Sequence, residues 1–588
     1  MPRLDWIGRK AVENHHRQVP FHLLKEVPEL SVGDPGSGNL LVEGDNLLAL
    51  KALLPYYSGQ VKFVCIDPPY NTGNENWIYN DNVNSPEMKA WLGKVVGKEA
   101  EDLSRHDKWL CMMYPRLTLL RQFLRNDGVI MISIDDFEVH RLRMLMDEIF
   151  YPQNFIAQLV WDKTRKNDAK LFSVGHEYIL IYAKSLQRLK ELKTIWREQK
   201  PGARDIIEYW KTLKDQFGED YMAIQNALRE WYKALPKNHP SKKLSRNRWV
   251  DKYGPWRDRD ISWPGGGGPR YDVLHPETQQ PCKVPERGWG FATSEEMQRQ
   301  IHLGLVEFRD DHTDPPMRKA HLLPTPEELS PGRENDEIDD EIDSDEESAG
   351  LLVMPSVIQR QAQVSVKLLR KIFNGQKAFP NPKDHEVIMR LIRYVTGPND
   401  VILDSFAGSG TTGHAVLQIN KEDKTNRKCI LVEMIPEIAA NVTARRLRNV
   451  INGVANLPPL GGGFRFATLG EPLFDDRGNI RKTVKFPDLA RHVFFTETGE
   501  PLPKHVKAAN PLIGQCNGIA VYLLYNGILK DKTPDGGNVL TTDVLSHLPK
   551  HDGSKVIYGT ACRIGPERLR RENITFKQLP YKLRIDAL

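Results

Sequence analysis

No stretch of this 588-residue chain approaches the ~20 apolar residues that cross a bilayer; runs such as Val129-Ile130-Met131-Ile132 are typical of its longest. The N-terminal stretch MPRLDWIGRKAVENHH carries charges where a secretory signal needs an apolar core. Cysteine is scarce: Cys65, Cys111, Cys282, Cys429, Cys516 and Cys562 are scattered with no CxxC pair. Neither a zinc knuckle nor a disulfide scaffold is indicated, and no metal site is expected. The lysine of a P-loop (GxxxxGKS or GxxxxGKT) is missing throughout, which removes a P-loop ATPase. An excess of one charge is missing too, because the net charge is only +5. Gly (43) and Pro (40) are near ordinary usage, which excludes a collagen-like or wholly disordered chain. The expectation is a soluble, intracellular protein of three to five structural units, at roughly 100–200 residues per domain.

What is present is unevenly distributed. Hydrophobic residues make up 40% and charged residues 27%, enough for a substantial core. Residues 236–270 are basic, and residues 334–347 (ENDEIDDEIDSDEE) are almost wholly acidic. An acidic run repels itself and buries nothing, so it reads as a solvated linker or loop.

Residues 38–184 alternate strands with helices. NLLVEG (39–44) is a short strand before a helical DNLLALKALLPYY, and VKFVCI (61–66) is a buried strand. A helix follows at about 109–125, then Asn126-Asp127-Gly128 as a turn and VIMISI (129–134) as a strand. FIAQLVW (155–161) and EYILIYA (177–183) read as two more. Continuous apolar strands between helices indicate a sheet covered on both faces. The rhythm breaks after 184 and returns at 357–450, with strands VILDSF and KCILVEM (428–434). Neither half has enough strands for a large sheet alone. The reading is therefore one α/β domain, residues 1–184 and 351–465, split by an inserted module at 185–350 and followed by an α+β unit at 466–588.

Two motifs carry chemistry. Asp67-Pro68-Pro69-Tyr70 ends a buried strand, and ligands of open α/β sheets bind outside the carboxyl ends of strands. Two prolines also make a plain turn. The functional reading is more specific: a carboxylate and a rigid carbonyl are two acceptors for the two hydrogens of an exocyclic NH₂ group. Accepting both helps localise the nitrogen lone pair, and Tyr70 offers a flat face to a flipped-out base. Such a site acts by orientation and electrostatics and needs no metal. The second motif, Asp404-Ser405-Phe406-Ala407-Gly408-Ser409-Gly410-Thr411-Thr412-Gly413, lies between a strand and a helix, with Glu433 ending the next strand. Its glycines fit GxGxxG, which alone suits NAD, FAD or S-adenosylmethionine, with the acid binding ribose hydroxyls. A glycine turn needed only for close packing is the plainer alternative.

Together the two motifs resemble the amino-methyltransferases of DNA. Asp404 to Gly410 fits that family's Asp/Asn-x-Phe-x-Gly-x-Gly loop residue for residue. The order, catalytic loop first and cofactor loop after a long insert, resembles the β-ordered group. IDPPYNTG, NDAKLFSVGHEYILIYAKS, LDSFAGSGTTGHAV and YGTACRIGPERLRRENITFKQLPY are most similar to the modification (Mod) subunits of type III restriction-modification systems. The resemblance implies a permuted doubly wound α/β methyltransferase sheet that binds S-adenosylmethionine, with an inserted target-recognition module. It implies catalytic roles for Asp67, Pro68, Pro69 and Tyr70. Cofactor contacts are implied at Asp45, Asp67, Lys383, Asp404, Phe406, Gly408, Gly410, Thr411 and Glu433, with Asp45 near the cofactor's adenine and Glu433 on its ribose. It further implies double-stranded DNA as substrate, a homodimer, a separate ATPase/nuclease restriction subunit, and a prokaryotic cytoplasmic setting. Aspartate before Pro-Pro-Tyr favours adenine N6 over cytosine N4 in this family. Cytosine C5 chemistry is rejected, because Cys282 lies in a polar loop with no partner motif.

The insert supports DNA handling separately. Eight of the twelve Trp residues fall between 151 and 290 and interleave with Arg and Lys around 245–270. Basic side chains neutralise phosphates, and aromatics stack on bases or wedge into steps. Arg246, Arg248, Lys252, Trp256 and Arg257 are the candidates, with simple packing of a small module as the alternative.

Overall fold

A computed structural model describes residues 4–72, 93, 104–163, 171–323, 325, 350–361, 363–454, 457–475, 477–502, 510–526 and 532–579. The acidic run 334–347 lies outside the described residues. The chain divides into two compact units, Met1–Thr194 with Ser356–Leu588, and Ile195–Pro355. The insert thus begins about ten residues later than expected, because the helix Leu186–Glu191 packs back on the sheet and buries Leu189.

The first unit is built on an eleven-stranded sheet. In chain order its strands are β1 (His22–Glu26), β2 (Val32–Gly33), β3 (Leu40–Glu43), β4 (Val61–Ile66), β5 (Leu124–Ile134), β6 (Phe155–Asp162), β7 (His176–Ala183), β8 (Val357–Gln359), β9 (Val401–Asp404), β10 (Lys428–Glu433) and β11 (Gly463–Pro472). Their spatial order is β1-β11-β3-β10-β9-β4-β5-β7-β6-β8, with β2 on β11. From β11 through β5 every pair is parallel. That explains the runs LLV, VKFVCI and CILVE, which are buried along their whole length. Beyond β5 the pairing turns antiparallel through β7 and β6. The central strands bury Val42, Val64, Ile66, Ile130, Ile132, Leu403, Ile430 and Val432 in one cluster with the helices Asn46–Tyr57 and Arg105–Phe123.

Two expectations are corrected here. The helix reaches Phe123 and runs straight into β5, so Asn126-Asp127-Gly128 is not a separate turn. Those residues form an irregularity within the strand: the register jumps from Val61↔Leu124 to Phe63↔Val129. Lys62 fills the bulge, donating to the Asp127 carbonyl (2.6 Å) and carboxylate (3.0 Å). The expected boundary at 465/466 falls inside β11, which pairs parallel with β3 and antiparallel with β1. The C-terminal part therefore grows out of the sheet rather than starting after it. It then forms a helix, Phe486–Thr498, and a four-stranded sheet of Leu512–Cys516, Ile519–Leu523, Ser554–Gly559 and Ile574–Gln578.

The second unit packs the amphipathic helices Ala203–Phe217 and Tyr221–Ala234 through Ile206, Trp210, Ile224 and Leu228. A four-stranded antiparallel sheet includes Trp249–Asp251, Gly254–Arg259 and Met317–His321. Among the described residues of both units, no helix is long and apolar enough to cross a membrane.

Candidate active site

Neighbouring parallel strands β4 and β9 deliver the two sequence motifs to the same edge of the sheet. After Ile66 the prolines end the ladder, and the loop is pinned from behind. The Pro69 carbonyl accepts from Trp109 Nε1 at 2.7 Å, with Trp109 fully buried on its helix. Asn71 adopts the left-handed region (φ 57°), and its amide donates to Glu138 (2.5 Å) and to the Arg105 carbonyl (3.2 Å). The Pro68 carbonyl, between these anchors, accepts no hydrogen bond from the described residues.

A buried charge cluster stands beside the loop. Lys383 Nζ lies 2.9 Å from each carboxylate oxygen of Glu177, donates to the Tyr70 hydroxyl, and lies 3.0 Å from Asp67 Oδ1. The Asp67 contact falls outside hydrogen-bond geometry, so among the described residues Oδ1 is buried without a hydrogen-bond donor. Glu177 also accepts from the Tyr70 hydroxyl (2.9 Å) and pairs with Lys163. Burial disfavours the Glu177 carboxylate, but Lys163 and Lys383 outweigh it and hold its pKa down at about 2. Burial lowers Lys163 to about 8 against the pull of Glu177. For Lys383 burial is outweighed by Asp67 and Glu177, and its pKa is raised. Burial, then Asp67 and Glu177, push the Tyr70 phenol well up, keeping it a neutral donor.

The glycine loop faces this cluster. Gly408 and Gly410 are left-handed (φ 51° and 74°), and a Cβ on Gly410 would sit 3.1 Å from Thr443 Cγ2. Thr443, fully buried in a π-helical turn spanning Ala439–Ala444, donates to the Gly408 carbonyl at 2.6 Å. Arg446, 1% exposed, donates to Ser409 Oγ (3.1 Å) and Thr411 Oγ1 (2.8 Å). Asp404 accepts from the Phe406 amide (3.0 Å) and the Thr412 hydroxyl (2.6 Å). Burial nonetheless pushes it up to about 7, with Asp67 and Glu433 adding to the rise. One pocket is lined from both loops, by Asp67, Ser133, Phe379, Asn381, Lys383, Asp404, Phe406, Gly408, Ser409 and Thr411.

Asp67, Lys383, Asp404, Phe406, Gly408 and Thr411 thus line one pocket, with Tyr70 beside them. Two acids are already engaged within the chain. Asp45 caps the helix Asn46–Tyr57 through Leu47 (2.9 Å) and Leu48 (3.1 Å) and pairs with buried Arg116 (3.0 Å). Glu433 accepts from the Gly408 amide and from Ile435, each at 2.9 Å, so it braces the glycine loop itself. Of the insert candidates, Trp256 is corrected: it is 5% exposed, stacked on Trp249 at 5.1 Å between ring centres, and serves as core rather than as a surface for bases. Arg246, Arg248 and Lys252 are exposed and Arg257 is half-buried. Arg246 reaches Asp258 at 3.5 Å and Arg248 lies over Trp249 at 4.6 Å.

Sequence reasoning missed Lys163, Glu177, Trp109 and Arg446. The available signal was a charge in apolar company: Glu177 heads the strand EYILIYA, and Arg446 lies on the buried face of RRLRNVIN.

Comparison with known proteins agrees with this geometry. A family model described as DNA methylase matches residues 61–444. The chain is 31% identical over 446 residues to the type III restriction-modification enzyme EcoP15I Mod subunit of Escherichia coli, covering 73% of this chain and 64% of that one. It is 30% identical over 466 residues to the StyLTI Mod subunit of Salmonella typhimurium, covering 76% and 60%. It is also 30% identical over 424 residues to the type II methyltransferase M.KpnI of Klebsiella pneumoniae, covering 70% and 84%. The chain therefore spans less than two thirds of the length of these two Mod subunits. Because the match takes in β4 and β9, the loops they carry and the whole insert, the chain belongs to the DNA methylase family.

Proposed function

We propose that this protein is a site-specific methyltransferase that moves a methyl group from S-adenosylmethionine to adenine N6 in double-stranded DNA. The observation that carries the reading is the convergence of the Asp67 loop and the Gly408–Gly410 loop on one pocket from adjacent parallel strands. The residues present suit the cofactor. Ser405 Oγ on the glycine loop and Asp67 Oδ1 are buried polar atoms without hydrogen-bond partners among the described residues, which a polar ligand would satisfy. Asp404 and Asp67 line the pocket as acceptors, and Phe406, Gly408, Ser409 and Thr411 complete its wall. When bound, S-adenosylmethionine supplies an electrophilic methyl group on its sulfonium.

The chain's own part is orientation. Asp67 and the Pro68 carbonyl accept the two hydrogens of the flipped adenine's amino group, aiming its nitrogen lone pair out of the ring plane. Trp109 and Asn71 hold that pair of acceptors rigid. Tyr70, its hydroxyl fixed by Glu177 and Lys383, presents its ring to the base. That similar chains are subunits of type III restriction-modification enzymes supports a separate restriction subunit as partner; a homodimer, a prokaryotic cytoplasmic setting, and exposed Arg246, Arg248 and Lys252 of the insert on DNA belong to the same proposal.

The test is methyl transfer from isotopically labelled S-adenosylmethionine to mixed genomic DNA, followed by nucleoside mass spectrometry. Label in N6-methyladenine is the expected result, lost in Asp67→Ala while cofactor binding persists. Label in N4-methylcytosine would replace the target base and keep the site. Full activity of Asp67→Ala would overturn the assignment.

A further inference from the structure

A buried arginine without an acid stands behind the glycine loop. Arg446 is 1% exposed, and among the described residues no carboxylate pairs with it. Burial draws its pKa down to about 9, so it stays charged at neutral pH. On its other side Nη2 lies 3.2 Å from His414 Nδ1, and the His385 ring stacks on His414 at 4.0 Å. Burial lowers both imidazoles, His385 to about 3, so they are neutral and offer no countercharge. An unpaired buried charge is costly, and a guanidinium does not escape by losing its proton. What Arg446 holds is the loop: Nη1 donates to the Ser409 carbonyl (3.2 Å), Ser409 Oγ (3.1 Å) and Thr411 Oγ1 (2.8 Å). Ser409 and Thr411 line the pocket, whereas Arg446 lies behind them.

This arrangement decides which way the two hydroxyls point. A guanidinium accepts nothing, so neither hydroxyl can turn its hydrogen back toward Arg446. Ser409 Oγ and Thr411 Oγ1 are 3.1 Å apart, so one hydrogen can lie between them. The other finds no acceptor among the described residues, and both side chains border the pocket. The helix Thr411–Asp423 starts at the same place without a side-chain cap, which leaves its first amides as further donors. A buried positive charge, a hydroxyl hydrogen and a helix start all favour one kind of ligand group, an anion. We infer that Arg446 is a positioning residue for the carboxylate at the amino-acid end of the cofactor: it fixes the Ser409 and Thr411 hydroxyls as donors into the pocket, and through them supplies the positive charge that the carboxylate balances. This inference rests on the S-adenosylmethionine reading above for the ligand, and on the chain's own contacts for the direction of the donors.

The test compares two ligands, S-adenosylmethionine and its decarboxylated form, by calorimetric titration of the full chain. The readout is the ratio of their dissociation constants. In the unaltered protein, loss of the carboxylate should weaken binding roughly tenfold or more. Arg446→Met removes the charge and both contacts to the hydroxyls, and there the ratio should fall to within about threefold, because S-adenosylmethionine loses affinity and the decarboxylated form does not. Thr411→Ser keeps a hydroxyl and should keep the ratio. Where Arg446→Met does not fold, Ser409→Ala combined with Thr411→Val leaves the arginine in place, removes the donors and should collapse the ratio equally. A residue with only a structural role would weaken both ligands by one factor and leave the ratio unchanged, which would overturn the inference. Equal affinity of the unaltered protein for the two ligands would overturn it as well and leave the cofactor reading standing. If the unaltered protein binds neither ligand, the cofactor reading itself fails and the inference falls with it.

Discussion

Replacing Thr443 with valine removes a single hydroxyl from behind the glycine loop and leaves nearly the same shape. The hydroxyl donates to the Gly408 carbonyl at 2.6 Å, and Thr443 is fully buried. Valine therefore leaves that carbonyl without its donor in a place where water does not replace it. The cost of orphaning such a group is about 1–3 kcal/mol. Where it shows depends on the loop. If the loop keeps its course, the loss falls on the fold, at roughly 2–4 °C of melting temperature per kcal/mol for a domain of 150–250 residues. If the loop relaxes until cofactor rebuilds it, the loss falls on affinity, about 5- to 150-fold in Kd. Calorimetric titration with S-adenosylmethionine and a thermal melt, run together on Thr443→Val and Thr443→Ser, separate the two. Serine keeps the donor and should stay close to the original protein. A valine variant with Kd within twofold and an unchanged melt would refute the claim that this hydroxyl braces the loop.

Other perturbations follow from the same geometry. Asp404 is buried and raised from 3.8 to about 7, so its contribution to stability is complete below pH 3.8 and is lost as pH rises through about 7, a span worth about 4 kcal/mol. Asp404→Asn carries no charge, so its melting temperature should gain on the original protein between pH 5 and pH 8. A gap that does not change with pH would refute the assignment. Gly410→Ala forces a side chain into left-handed backbone against Thr443 and should cost about 1–2 kcal/mol, read as a lower melting temperature; an unchanged melt would count against the strain. Trp256→Ala should destabilise the inserted unit by about 3–5 kcal/mol. Exposed Arg248→Ala should leave the melt unchanged and instead shallow the salt dependence of DNA binding by about one unit of slope, measured by titration at several salt concentrations.

The parts of the fold legible beforehand are those in which local pattern and tertiary position agree. VKFVCI, VIMISI and KCILVEM are central strands covered on both faces, and continuous apolar character is what such strands require. The two loops were legible because their composition is chemically unusual: two prolines after an acid, and three glycines spanning the start of a helix. The charge cluster was not, since Lys163, Glu177 and Lys383 meet only after β6, β7 and the segment before His385–Val395 have folded. Asn126-Asp127-Gly128 misled because turn-forming residues also suit a bulge, and the lysine that fills this one lies on another strand. The tryptophans of the insert misled in the same way. Trp210, Trp256 and Trp289 are buried, Trp210 among Ile206, Ile224 and Leu228, so they serve the insert's core, while Arg246 and Arg248 nearby are exposed.

The pairing of β4 with β9 has a consequence for how the chain is made. One edge of β4 finds β5 soon after synthesis, but the other waits for a strand roughly 330 residues further on, about 20–70 s of translation. During that interval a bare, apolar strand edge stands open while the insert, a unit with its own core, is threaded out and folds. Such an edge is a template for pairing with any neighbouring chain. The permuted order that keeps the Asp67 loop apart from the glycine loop thus leaves this edge without its partner until residues 401–404 arrive.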